Sequence, residues 1–98
     1  RNGLQIDGAT ESIMSIDPLA DKWRAFGWNV MEIDGHDLSQ ILDACDAARE
    51  VKGKPTMVVA RTVKGKGVSF MENSIAFHGK APNKDELRRG LAELGEET

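Results

Sequence analysis

His78, in Phe77-His78-Gly79-Lys80, and the run Lys64-Gly65-Lys66-Gly67 are the parts of this sequence best suited to chemistry. An imidazole in a glycine-flanked loop can transfer protons or hold a phosphate oxygen; an ordinary hydrogen-bonded loop histidine is the other reading. The lysine–glycine run has the composition of an anion cradle. Its glycines allow close backbone approach and its two ammonium groups lie beside them. A solvated basic turn is the alternative. The run is neither a Walker A motif, which needs a longer glycine loop ending in Gly-Lys-Ser/Thr, nor a dinucleotide fingerprint.

The remaining candidates are weaker. Asn2 and a neighbouring carbonyl are hard-oxygen donors suited to Mg²⁺ or Ca²⁺, although Asn-Gly more commonly marks a turn. His36, in Asp34-Gly35-His36-Asp37, is expected to help organise a strand-to-helix turn. Two histidines without regular ligand spacing do not make a zinc site. Cys45, beside Ala44 and Ala48 on an apolar helical face, reads as a small core residue with an unactivated thiol. Glu72 suits either catalysis or loop bracing. Trp23, Phe26 and Trp28 read as core.

The elements that must position these groups follow from periodicity and punctuation. Leu4 and Ile6 alternate with Gln5 and Asp7 in a short extended segment closed by Gly8. Asp17-Pro18 opens a helix, with Ile16, Leu19, Ala20, Trp23 and Phe26 on one face and Gly27 as its stop. Trp28 to Ile33 reads as a strand ending at Asp34-Gly35. Asp37, with Gln40 at capping-box spacing, starts a helix whose apolar side is Leu38, Ile41, Leu42, Cys45 and Ala48. Gly53 closes that helix before Pro55. Thr56 to Val63 is the clearest strand, continuously apolar through Met57–Ala60, as expected where helices cover both sheet faces. The aperiodic stretch from Lys64 to Pro82 follows it, and functional loops in α/β proteins follow the carboxyl ends of strands. Asn83 and Glu86 then cap a final helix with Leu87, Leu91 and Leu94 along its stripe and Gly95 at its end.

This order specifies an α/β fold: three layers, a mostly parallel sheet and helices on both faces. The chain has 98 residues, 40% of them apolar and 30% charged, a formal charge of −3 and a single Cys. One compact unit at most is expected at this length. A lone Cys excludes a disulfide framework and suits a reducing compartment, so a cytoplasmic location is expected. No apolar run approaches the ~20 residues of a membrane span. Mild acidity without a basic tract argues against a nucleic-acid partner. Residues 1–8 open in mid-turn without an initiator Met, so the sequence is expected to be a piece of something longer.

Taken together, these stretches resemble the thiamine-diphosphate-binding section of transketolase, particularly the transketolases split into two chains. The matching pieces are Asn2-Gly3-Leu4-Gln5-Ile6-Asp7-Gly8, Trp23 with Phe26-Gly27-Trp28, and Asp34-Gly35-His36-Asp37. They continue through Lys54-Pro55-Thr56, Thr62-Val63-Lys64-Gly65-Lys66-Gly67-Val68 and His78-Gly79-Lys80-Ala81-Pro82. Each alone is weak; in this order and spacing they cover nearly the whole chain. A 1-deoxyxylulose-5-phosphate synthase-like enzyme shares the Asp34–Asp37 and Lys64–Gly67 stretches and is the runner-up. A non-catalytic structural or interaction relative is the third reading.

The resemblance implies that residues 1–98 are the C-terminal half of a thiamine-diphosphate domain, whose upstream Gly-Asp-Gly half lies elsewhere. It makes Asn2 and the Leu4 carbonyl ligands of Mg²⁺ (or Ca²⁺), with the upstream Asp completing the protein's share. Ile6 becomes an apolar contact to the cofactor rings. His78 matches a catalytic histidine that reaches both the diphosphate and the reacting sugar carbons. Lys64 matches a cofactor-cleft position that is lysine in some members and apolar in others. Lys66 and Lys80 are left as rim charges. The implied reaction moves a two-carbon ketol unit from a ketose phosphate to an aldose phosphate through a thiamine-diphosphate enamine. A pyrimidine-binding domain or subunit is the implied partner, supplying a glutamate, and the isolated 98 residues are expected to be inactive.

Overall fold

The computed structural model describes residues 1–95. It resolves into two compact units instead of the single one expected: Arg1 with Met14–Thr62, and Asn2–Ile13 with Val63 onward. No helix among the described residues is long and apolar enough to cross a membrane.

The first unit holds helix α2 (Leu19–Ala25), strand β3 (Asn29–Asp34), helix α3 (Leu38–Glu50) and strand β4 (Thr56–Arg61). β3 and β4 pair in parallel, with Asn29 opposite Thr56 and Asp34 opposite Arg61. A parallel pair needs a crossover, and α3 supplies it. Asp37 caps α3 by accepting from the Ser39 and Gln40 amides at 2.9 and 3.2 Å. The capping-box partner behaves differently from expectation. Gln40 Oε1 accepts from the Asp34 amide at 2.9 Å, while its Nε2 donates to Asp37, also at 2.9 Å. Gln40 therefore ties the helix start to the strand end.

Ala44 and Val59 are the buried apolar residues of this unit. Only one of α3's two apolar rows turns inward: Ala44 is buried, Ile41 and Ala48 half-buried, while Leu38, Leu42 and Cys45 are exposed. The expected core position of Cys45 is thus wrong. Phe26 is also exposed, at 79%, and Trp23 and Trp28, packed edge to face at 4.8 Å, are half-buried, so none of the aromatic trio is in the buried core. The α2 start moves as well. Pro18, whose ring has no hydrogen-bonding atom, occupies the cap position, while Asp17 engages both guanidinium nitrogens of Arg1 and accepts from the Leu19 amide.

The second unit begins with an antiparallel hairpin, β1 (Leu4–Gln5) with β2 (Gly8–Ala9), in place of the single extended segment expected. A one-turn helix α1 (Thr10–Ile13) follows. The long loop contains a 3₁₀ turn at Ile75–Phe77 and leads to helix α4 (Lys84–Glu93). The full capping box expected for α4 is formed: Asn83 accepts from the Asp85 and Glu86 amides, both at 2.9 Å, and Glu86 accepts from the Asn83 amide at 2.8 Å. Val68 is the buried hydrophobic side chain among this unit's described residues. The α/β class expected from sequence holds, with mixed strand pairing.

Candidate functional site

The hairpin fixes two of the candidate residues, Asn2 and Leu4, by local bonds. Asn2 Oδ1 accepts from the Leu4 amide at 2.9 Å, the Asx turn that an Asn-Gly start favours. Thr10 closes the turn from the other side, donating its amide to the Gly3 carbonyl at 2.9 Å and its hydroxyl at 3.2 Å. Gln5 Oε1 accepts from the Asp7 amide at 2.6 Å and steadies the hairpin tip.

The loop after β4 is held from within. The Lys64 carbonyl accepts from the Asn73 amide at 2.9 Å, which brings the two ends of a ten-residue excursion together. Two amides of the Lys64–Gly67 run are committed within the loop. The Lys66 amide donates to the Val63 carbonyl at 3.2 Å, and the Gly67 amide to Glu72 Oε1 at 3.0 Å. Those N–H groups point into the loop and offer nothing to an anion. Glycine is needed at position 65 because φ is +72° and a Cβ there would lie 2.5 Å from the Met71 carbonyl oxygen. The close approach is therefore of backbone to backbone. Glu72, left open between catalysis and bracing, braces.

Asn2, Leu4 and Ile6 from the hairpin, Lys64 at the loop start and His78 at its far end all line one cleft of about 300 Å³. Gln5 and Ile75 complete it. Sequence reasoning gave neither a role: Gln5 lies in a stretch of family likeness without a task of its own, and Ile75 sits where no periodicity marks it. Lys66 is exposed and does not line the cleft. Lys64 is half-buried, His78 exposed. The 3₁₀ turn sets the histidine's backbone, with its amide donating to the Ile75 carbonyl at 2.9 Å.

The lining is chemically two-sided. Leu4, Ile6 and Ile75 offer an apolar wall to a flat ring, while the Lys64 ammonium and His78 imidazole suit an anionic group. Metal capacity is smaller. No cluster of three or more His, Cys, Asp or Glu side chains suited to a metal occurs among the described residues. What remains are two neutral oxygens, Asn2 Oδ1 with its second lone pair and the Leu4 carbonyl, a minority of the six that Mg²⁺ requires. This donor set fits a metal shared with an anionic ligand and a carboxylate from outside this segment.

The first unit has a larger hollow, about 430 Å³, but its charges answer one another. Arg24 pairs with Asp21 at 2.7 Å and Glu32 at 3.7 Å, and Arg61 with Glu32 at 3.2 Å. The Arg1 guanidinium holds the Asp17 carboxyl below its ordinary range, with the Leu19 amide as a lesser contributor. Asp37 is held low by the Gln40 side chain and then by the Gln40 and Ser39 amides; Glu93 is held low by the Ser69 amide and hydroxyl. All three are structural carboxylates outside the 300 Å³ cleft. His36 acts as expected: its amide donates to Asp34 Oδ1 at 2.9 Å within the turn.

The chain is similar to known proteins over nearly its whole length. The family model described as the thiamine diphosphate binding domain of transketolase matches residues 1–98. The 6-deoxy-6-sulfo-D-fructose transketolase subunit SqwG of Clostridium sp. (strain MSTE9) is 45% identical over 96 residues, covering 98% of this chain and 35% of that protein. One of the subunits of apulose-4-phosphate transketolase from Actinobacillus succinogenes is 41% identical over 97 residues, covering 99% of this chain and 35% of that protein. The chain thus spans about a third of the length of these curated relatives. Among solved structures, transketolase from Campylobacter jejuni superimposes with a TM-score of 0.86 at 26% identity, over 98% of this chain and 15% of that one. Pichia stipitis transketolase in complex with sedoheptulose-7-phosphate gives 0.87 at 28%, over 97% and 14%.

Proposed function

This chain belongs to the transketolase family, within its thiamine-diphosphate-binding domain, and from that membership we propose that it holds the cofactor in a two-chain transketolase. The proposed reaction moves a two-carbon ketol unit from a ketose phosphate, or a ketose with a comparable anionic group, to an aldose phosphate. The observation that carries this reading is the convergence of Asn2, Leu4, Ile6, Lys64 and His78 on one cleft, from segments some sixty residues apart in sequence.

In this proposal Asn2 Oδ1 and the Leu4 carbonyl hold Mg²⁺, or Ca²⁺, together with the cofactor diphosphate. An Asp outside these residues, in the other half of the same domain, completes the protein's share. Thiamine diphosphate, when bound, supplies the carbanion that breaks and remakes the carbon–carbon bond. Ile6, with Leu4 and Ile75, packs the ring end and keeps water from it. Lys64 answers diphosphate charge from a half-buried position, where an ammonium is less screened than at the surface. His78 donates to the diphosphate and moves a proton at the substrate hydroxyl. The pyrimidine end belongs to a partner chain carrying a glutamate. A divided enzyme is supported by the names of both relatives, each of which is called one subunit of its transketolase. A cytoplasmic setting, where sugar phosphates are found, is part of the same proposal.

The test is His78→Ala in the assembled enzyme. Ketol transfer measured as kcat/KM is expected to fall by about 10²–10⁴, the usual worth of a positioned proton-transfer group. Circular dichroism should stay unchanged. Wild-type transfer by that variant removes His78 from the chemistry and the reading with it.

A further inference from the structure

Among the described residues no cleft side chain hydrogen-bonds to His78, whose side chain is exposed. The residue before it is anchored. The Phe77 ring packs on the Phe70 ring at 5.9 Å between centroids, with an interplanar angle of 59°. Lys80 Nζ lies 5.4 Å from the centre of Phe77, and the Arg89 guanidinium carbon 4.5 Å from the centre of Phe70. The four side chains form a continuous stack: cation, ring, ring, cation. Offset or tilted rings with cations on their faces attract through the ring quadrupole, so each member favours the geometry of the next.

Both ends of the stack return to α4. Arg89 is part of that helix, and Lys80 Nζ reaches Glu86 Oε1, the capping-box residue, at 4.0 Å. The same helix grips the loop's earlier limb. Glu93 accepts from the Ser69 amide at 2.5 Å and its hydroxyl at 2.8 Å, and Gly90 is buried against Val68 and Phe70. The loop that carries Lys64 at one end and His78 at the other is thus fastened to one helix, and the Phe70–Phe77 contact joins its two limbs.

We propose that Phe77 is a positioning residue: the Arg89–Phe70–Phe77–Lys80 stack fixes the 3₁₀ turn that presents His78 to the cleft. This rests on the reading of His78 given above. A small displacement of a reacting group is costly in rate, while ground-state binding through other contacts is spared.

The experiment uses the assembled holoenzyme with Phe77→Leu, which keeps apolar volume but removes the ring face, and Phe77→Tyr, which keeps the ring. Three readouts are taken: kcat and KM separately, hydrogen exchange of the His78 amide, and the effect of Phe77→Leu in a His78→Ala background. Phe77→Leu is expected to lower kcat roughly tenfold with KM within about twofold, and to speed His78 amide exchange about tenfold. Phe77→Tyr should restore both. In the His78→Ala background Phe77→Leu should add nothing, since two residues acting through one group are not additive. Wild-type kcat and exchange in Phe77→Leu overturn the proposal, as does a loss that adds in full to that of His78→Ala. If His78→Ala is itself fully active, the catalytic reading fails separately. His78 exchange then decides the stack, unchanged exchange overturning it and faster exchange sustaining it. Should Phe77→Leu not fold, Arg89→Met and Lys80→Met remove the cations instead. Each is expected to give about a threefold change in the same direction, and wild-type exchange in both overturns the proposal.

Discussion

The unit from Met14 to Thr62 is held together by repeating main-chain order, whereas the one containing Asn2–Ile13 and Val63 onward is held by side chains and turns. The first has a six-residue parallel ladder with a thirteen-residue crossover helix. The second has a hairpin of two-residue strands, and its long loop bonds to itself at Lys64–Asn73 and Gly67–Glu72 and to α4 at Ser69–Glu93. The proposed site lies wholly in the second unit. Regular ladders place side chains at fixed intervals and leave little freedom to aim one at a ligand. A turn-built unit can bring Asn2, Lys64 and His78 to one spot, at the cost of having each turn secured separately.

Glycine substitutions separate the two kinds of order most sharply. Gly65→Ala forces a side chain into left-handed backbone and against the Met71 carbonyl at 2.5 Å, which only backbone movement can relieve. A loss of roughly 2–4 kcal/mol is expected, with the Lys64 end of the cleft displaced. Gly35→Ala in the first unit meets the Thr62 methyl at 2.6 Å and the Arg61 carbonyl at 2.9 Å, without positive φ. Its cost should be of similar size, but it should leave the cleft intact. Pyrophosphate binding by the two assembled variants, alongside thermal unfolding, checks this. Weakened binding in Gly65→Ala and normal binding in Gly35→Ala is the expected pair; equal binding in both ends the distinction.

The same contrast explains what was legible in the residues alone. β4 was visible because Met57-Val58-Val59-Ala60 is continuously apolar, and α4 because Asn83 and Glu86 stand three apart before a leucine stripe. These are local signals, and the structure forms both elements. Residue types alone picked out Asn2, Lys64 and His78, whereas Leu4 and Ile6 entered only through the family likeness. The convergence of all five was legible only through that likeness, since no spacing rule relates position 2 to position 78. The composition of the glycine run did not reveal what Gly65 approaches, which is the Met71 backbone. Cys45 misled because α3 has two apolar rows and burial selects Ile41, Ala44 and Ala48 over Leu38, Leu42 and Cys45. The stack around Phe77 lay hidden in a stretch without periodicity.

Removal of a helix cap gives a smaller effect and tests how far α4 supports the loop. Asn83→Ala deletes the acceptor for two amides and should cost about 1 kcal/mol. Because Glu86 serves both the capping box and Lys80, fraying there should also speed exchange at His78. Amide exchange by mass spectrometry reads both regions at once. Protection lost at residues 84–87 but kept at 78 would mean that the cap and the loop are independent.

The smallest expected effect concerns acid, and it divides the units by the chemistry of their caps. α3 is capped by a carboxylate, Asp37, held below its ordinary range by Gln40 and the adjacent amides. A carboxyl whose folded pKa is depressed contributes stability in full above its unfolded value, and loses it as pH falls through the folded one. The window therefore lies below about pH 4. α4 is capped by neutral Asn83, but Glu93, held low by Ser69, loses its contribution over a similar range. Asp37→Asn keeps an acceptor at the α3 cap and removes its titration. Protection of the Ser39 and Gln40 amides should then stay flat in the variant as pH falls below about 4, while falling in the parent. Ser69 amide protection, tied to Glu93, should decline equally in both proteins. A common decline at Ser39, Gln40 and Ser69 in the variant would show that acid opens the two units as one, and that the division between ladder-built and turn-built order does not extend to their stability.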